Sequence, residues 1–111
     1  MSSATARLAF AFISMLTLSG AFAATKGTAV EVSIDKMVFV PKEITISPGT
    51  RVTWTNHDQT PHLLTDRRKV FASKALDTDD SYSFTFTQAG DVAYFCTLHP
   101  FMTGIVHVRG K

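Results

Sequence analysis

An all-β sandwich of about seven or eight strands is the fold this sequence predicts. Three observations lead there. Apolar and polar residues alternate with a period of two, turn signals recur between the alternating runs, and no stretch between residues 24 and 111 carries a helical period.

The N-terminal segment reads as an export address rather than as part of the fold. Arg7 is its only charge, an apolar run follows from Leu8 to Leu18, and Ala21-Phe22-Ala23 supplies the small-x-small signature. A basic start, a short apolar run and such a site define a secretory signal peptide, here residues 1–23 with cleavage after Ala23. A membrane anchor needs about 20 apolar residues, and this run is shorter and broken by Ser14 and Thr17. The domain is then residues 24–111, exported to the periplasm, with no membrane anchor after cleavage.

Within it, Val30, Val32 and Ile34 alternate with Ala29, Glu31 and Ser33 to form the first expected strand. Ile44 and Ile46 flank Thr45, and Val52 and Trp54 flank Thr53. Tyr82, Phe84 and Phe86 alternate with Ser and Thr, and a further strand is expected from Asp91 to Phe95. Punctuation comes from Pro41-Lys42, Ser47-Pro48-Gly49, Asn56-His57-Asp58 and Ala89-Gly90-Asp91. Asp66 to Asp80 is the weakest region, and its charged runs Arg67-Arg68-Lys69 and Asp77-Thr78-Asp79-Asp80 read as solvated loop.

Composition excludes several functions. Eleven basic and nine acidic residues leave a formal charge of +2 with no long basic stretch, so nucleic-acid binding has no electrostatic footprint. A single cysteine excludes an internal disulfide, a tetrathiolate zinc or iron–sulfur site and a binuclear copper site. No acid–base pair or substrate pocket is legible, which points to a carrier rather than an enzyme.

The chemistry concentrates in Cys96-Thr97-Leu98-His99-Pro100-Phe101-Met102 and in His62. Singly, each residue is unremarkable: a lone Cys is usually a small buried hydrophobe, and a Met beside Phe is usually core. Jointly, a thiolate, two imidazoles and a thioether form the donor set of an electron-transfer copper site, with Met as the weak axial ligand. The spacing lets one short loop supply three donors while His62 completes the plane from a neighbouring strand. His57, in a polar turn, and His107, between Val106 and Val108, read as surface residues. A protein that stores or delivers copper through the same ligands is the alternative function.

These residues carry a resemblance. Ser83-Phe84-Thr85-Phe86-Thr87-Gln88-Ala89-Gly90, then Cys96 and His99-Pro100-Phe101-Met102-Thr103-Gly104, are similar to the cupredoxins, the type I blue copper proteins. Among these the sequence is most similar to the amicyanins, and more distantly to plastocyanins and pseudoazurins. Asp35-Lys36-Met37, Trp54-Thr55-Asn56 and Pro61-His62 extend the likeness over nearly all of residues 24–111. The resemblance implies a Greek-key β-sandwich, one copper ion cycling between Cu(I) and Cu(II), and one-electron transfer in the periplasm. It implies His62, Cys96, His99 and Met102 as ligands and Asn56 as a brace for the ligand loop next to Cys96. It also implies a monomer that docks transiently, through an apolar patch around His99, with redox proteins such as a dehydrogenase donor and a c-type cytochrome acceptor. Three positions depart from the amicyanin pattern: Leu98 stands where Pro is usual, Val92 where an aromatic is common, and Phe95 where a polar imidazole precedes the Cys. Leu98 restores a backbone N–H, which either reaches the sulfur of Cys96 or points to solvent and binds water.

Overall fold

The computed structural model describes residues 28–110, so the expected signal peptide lies outside the described residues. The eight strands are β1 (Ala29–Asp35), β2 (Val38–Val40), β3 (Glu43–Ile46), β4 (Thr50–Asn56), β5 (Leu64–Asp66), β6 (Ser81–Phe86), β7 (Gly90–Cys96) and β8 (His99–Val108). Every alternating run expected from sequence is a strand, and the period-two pattern is the reason. In β4 the apolar Val52 and Trp54 are both fully buried while Arg51 is exposed.

The strands form two four-stranded sheets in the order β2-β1-β4-β6 and β3-β8-β7-β5. The chain crosses between sheets repeatedly, so β1 pairs in parallel with β4, and β3 in parallel with β8, while the other pairs are antiparallel. This is the Greek-key sandwich that the resemblance implied. Trp54 occupies its centre, stacked on Phe71 at 5.1 Å and edge-on to Tyr94 at 5.4 Å.

Phe71 corrects the expectation for residues 66–80. Arg67, Arg68 and Lys69 are exposed as expected, but Asp66, Phe71, Ser73 and Leu76 are buried. The Asp66 carboxylate accepts the amides of Arg68 and Phe71, each at 3.1 Å, and so folds the connection back over the core. Isolated bridges Thr65–Ala72 and His62–Leu76 complete the attachment. No period marks such a segment, because each anchor is a separate contact.

His107 also differs from its expected open position. It bridges three strands, with Nδ1 at 2.8 Å from Asp91 on β7 and Nε2 at 3.0 Å from Glu43 on β3. Arg109 donates to the same Asp91 carboxylate at 2.7 Å. Glu43 and Asp91 raise the His107 pKa, and His107 and Arg109 lower that of Asp91. A raised histidine stabilises below its unfolded value of about 6.5, and a lowered carboxylate stabilises above about 3.9. The stabilisation from this cluster is therefore greatest between those values. Urea midpoints measured against pH should show the difference between wild type and His107→Gln largest near pH 5 and shrinking on either side.

Tyr94 folds its ring over Gly104 across the β7–β8 pair, and a Cβ at Gly104 would lie 2.5 Å from the ring. The ring cannot retreat, because it packs against Phe39 and Trp54. Gly104→Ala should cost about 1–3 kcal/mol of unfolding free energy by urea denaturation, the range of an overpacked core site.

Candidate metal centre

The donors meet at one end of the sandwich because two separate chain features converge there. Cys96 is the last residue of β7 and fully buried. A tight turn at Thr97-Leu98 leads into β8, whose first residue is His99. The β7–β8 register breaks here. Phe95 pairs with Thr103, but Cys96 pairs with His99, so Pro100, Phe101 and Met102 have no opposite number on β7. The resulting bulge re-aims the strand. Beyond it Phe101 is 72% exposed and Met102 buried, as adjacent residues of a strand face opposite sides. The sequence expectation placed His99 and Met102 on a loop, whereas both belong to the bulged start of β8.

His62 arrives from the other direction. It is fully buried just before β5 and is fixed by reciprocal backbone hydrogen bonds with Leu76. Its Nδ1 lies 3.6 Å from the Cys96 sulfur, and His99 Nδ1 lies 3.7 Å from the same atom. The two rings stand 5.2 Å apart at 65°. All three donor atoms fall within 4.8 Å of one another.

These distances fit a metal. Bonds of about 2.0–2.1 Å to nitrogen and 2.3 Å to sulfur, at angles between tetrahedral and trigonal, place N and S donors about 3.6–3.8 Å apart. The donor set is soft to borderline, which suits copper. Met102 is buried three residues beyond His99 on the same strand.

Asp58, which the sequence reading passed over, orients His62. Its Oδ2 lies 3.0 Å from His62 Nε2. A carboxylate only accepts, so Nε2 carries the proton and Nδ1 presents its lone pair toward the sulfur. The same carboxylate accepts the amides of Lys36 at 2.7 Å and Met37 at 3.0 Å. Both residues have positive φ, 55° and 65°, as the two-residue β1–β2 turn requires. Glycine is usual in such a turn, and the two charge-assisted hydrogen bonds compensate the strain. Burial pushes the Asp58 carboxyl upward, but the Met37 amide, the His62 ring and the Lys36 amide outweigh it and hold the pKa below its ordinary value.

One expected detail is corrected, and the two alternatives for Leu98 are decided. Asn56 does not brace the Cys96 loop. Its Nδ2 donates to the carbonyls of Thr60 at 3.0 Å and Leu76 at 2.9 Å, and its Oδ1 accepts the Asp58 amide, so it braces the segment that carries His62. The amide that reaches the Cys96 sulfur is that of Leu63, at 3.4 Å, and not that of Leu98. β5 lies antiparallel to β7, which sets Leu63 beside the thiolate, while Leu98 occupies the turn and is 52% exposed. His57 is exposed, as expected.

Residues 26–109 match the family of copper binding proteins described as the plastocyanin/azurin family. The sequence is 38% identical over 86 residues to amicyanin of Paracoccus versutus, covering 73% of this chain and 65% of that protein. It is 38% identical over 84 residues to amicyanin-alpha of Methylorubrum extorquens, covering 71% of each. The chain thus spans about two thirds of the length of the amicyanins it matches. The crystal structure of amicyanin from Paracoccus versutus superposes with a TM-score of 0.69 at 37% identity, covering 77% of this chain and 85% of that one.

Removing the shared carboxylate should expose its double role. Asp58→Ala is expected to cost about 1–3 kcal/mol in the metal-free protein, as the buried His62 ring loses its acceptor. Amide resonances of Lys36 and Met37 should shift together with the His62 ring signals, because one group holds all three.

Proposed function

The chain belongs to the plastocyanin/azurin family of copper binding proteins, and from that premise we propose that it is a periplasmic one-electron carrier with a single type I copper centre. The observation that carries this reading is the convergence of two imidazole Nδ1 atoms on the Cys96 sulfur, at 3.6 and 3.7 Å. His62, Cys96, His99 and Met102 would hold the metal. Bound there, copper supplies a one-electron Cu(I)/Cu(II) couple.

The protein's own contribution is to keep the donors still. His62 is locked by Asp58 and by its bridge to Leu76, and Cys96 is locked between the Leu63 amide and the β7–β8 pairing. Donors fixed by surrounding hydrogen bonds do not need to rearrange when the charge at their centre changes. Leu63 donates to the sulfur, which draws density from it and favours the reduced state.

The route for the electron is through His99. It is the only half-exposed member of the group, since His62, Cys96 and Met102 are all buried. Leu98, Pro100 and Phe101 surround it as an exposed apolar patch. Small, weak interfaces of this kind suit transient electron-transfer encounters. The partners are redox proteins, with a dehydrogenase as donor and a c-type cytochrome as acceptor. Residues 1–23 direct export and are cleaved after Ala23. Complete burial of His62 and Cys96 favours a retained ion over a delivered one, and so favours the carrier over copper handling.

The oxidised, copper-loaded protein should show an intense visible thiolate-to-Cu(II) band, and Cys96→Ser should abolish it while the far-ultraviolet β signature persists. A variant that stays coloured would exclude Cys96 as the thiolate ligand. Met102→Gln should retain copper but lower the reduction potential, because an amide oxygen favours Cu(II) more than a thioether does. A ten-fold shift in relative affinity corresponds to about 59 mV by voltammetry.

A further inference from the structure

Two shallow grooves run from the His99 patch along either side of the bulged start of β8. The first lies on the solvent face of the β3-β8-β7-β5 sheet, where Pro100 and Phe95 share it with Lys42, Arg67 and Arg68. In the second, Phe101 and Val38 share the surface with Lys36 and Lys42. Lys36, Lys42 and Arg67 therefore border the apolar patch on this side, whereas Arg68 donates to the Asp91 carbonyl at the far end of β7. Two carboxylates line the same grooves, and both are already engaged. Asp66 is 1% exposed and accepts two backbone amides, and Asp91 is paired with His107 and Arg109. Arg67 is held in place, with its guanidinium 5.5 Å from the Phe95 ring centre, one residue from Cys96. The acidic run Asp77, Asp79 and Asp80 belongs to the other sheet. It precedes β6, and its backbone pairs with Asn56 at the end of β4.

We propose that Lys36, Lys42 and Arg67 form a cationic rim that docks a redox protein whose own apolar contact is bordered by carboxylates. This rests on the electron-carrier reading above. The near-neutral total charge gives little long-range pull, so the asymmetry around the patch decides orientation. At an ionic strength near 0.1 M the field of a surface charge reaches about 10 Å, enough to select the approach once the partner is close. An acidic partner lands on the β8 side with its redox centre toward His99, whereas a basic partner is turned away from it. Rim charges of this kind set association rate and specificity more than final affinity. The transfer moves one electron from the protein's copper to the partner's centre, and no bond or proton moves.

A pair of probes with one haem and opposite surface charge tests this: cytochrome c with its lysines succinylated to carboxylates, and the same cytochrome unmodified. Stopped-flow rates of electron exchange with the copper-loaded protein should be higher for the succinylated form and should fall as salt is added. Lys42→Glu and Arg67→Glu should each slow that reaction about five-fold or more at low ionic strength, and speed the reaction with unmodified cytochrome. Arg51→Glu, an equal charge change on exposed β4 outside both grooves, should alter either rate less than two-fold. Equal effects of all three variants, or rates indifferent to salt, would overturn the docking rim while leaving a redox-active carrier. A copper-loaded protein that lacks the visible band and exchanges no electron with either probe would overturn the carrier reading and the rim together.

Discussion

The carboxylate of Asp58 ties three parts of the chain that are otherwise independent. It caps a turn whose two residues both sit in the left-handed region, it takes the outer proton of His62, and its own amide is received by Asn56. Each contact alone contributes modestly. Together they make the position of one metal donor depend on the β1–β2 turn and on the end of β4. A buried histidine without that acceptor would be free to exchange tautomers, and its inner nitrogen would present a lone pair only part of the time.

The second constraint is the break in register between β7 and β8. A regular antiparallel ladder would set Met102 opposite Cys96 and keep His99 far from Cys96 along the strand. Three unmatched residues bring His99 opposite Cys96 instead, while Met102 stays on the buried face. The rest of β8 returns to normal pairing, with Tyr94 closing over Gly104 and Val106 and Val108 in the core. The irregularity is thus confined to the donor end and is braced by a regular sheet below it. The far end carries its own cross-strand clamp of His107, Asp91, Glu43 and Arg109.

Burial and charge divide the labour at the donor end. His62, Cys96 and Met102 are shielded from water, which strengthens every polar contact to them. His99 alone reaches the apolar patch. The cations beyond that patch lie on one sheet's side, and the acidic run precedes β6 of the other, so the charge around His99 is uneven.

Much of this was legible from residue order. Period-two alternation marks strands because side chains on a pleated strand alternate between faces, and this located β1, β3, β4, β6 and β7. The four donors at Cys96, His99, Met102 and His62 were legible because so few other functions assemble a thiolate, two imidazoles and a thioether in a small β domain. Buried loops were not legible: Phe71 and Leu76 enter the core through isolated contacts that leave no periodic trace. The amide that meets the sulfur was not legible either. Leu98 is two residues from Cys96, yet the amide that meets the sulfur is that of Leu63, 33 positions away, because antiparallel pairing of β5 with β7 sets the distance. Asp58 was equally silent, since a carboxylate in a polar turn looks solvated until the fold brings the Lys36-Met37 turn and His62 to its two oxygens. Residue types and their alternation thus determined the sandwich and the donor set. Which group holds each donor, and which way it points, was decided by strand pairing across the sheets, because hydrogen-bond partners are chosen by distance in space and not by distance along the chain.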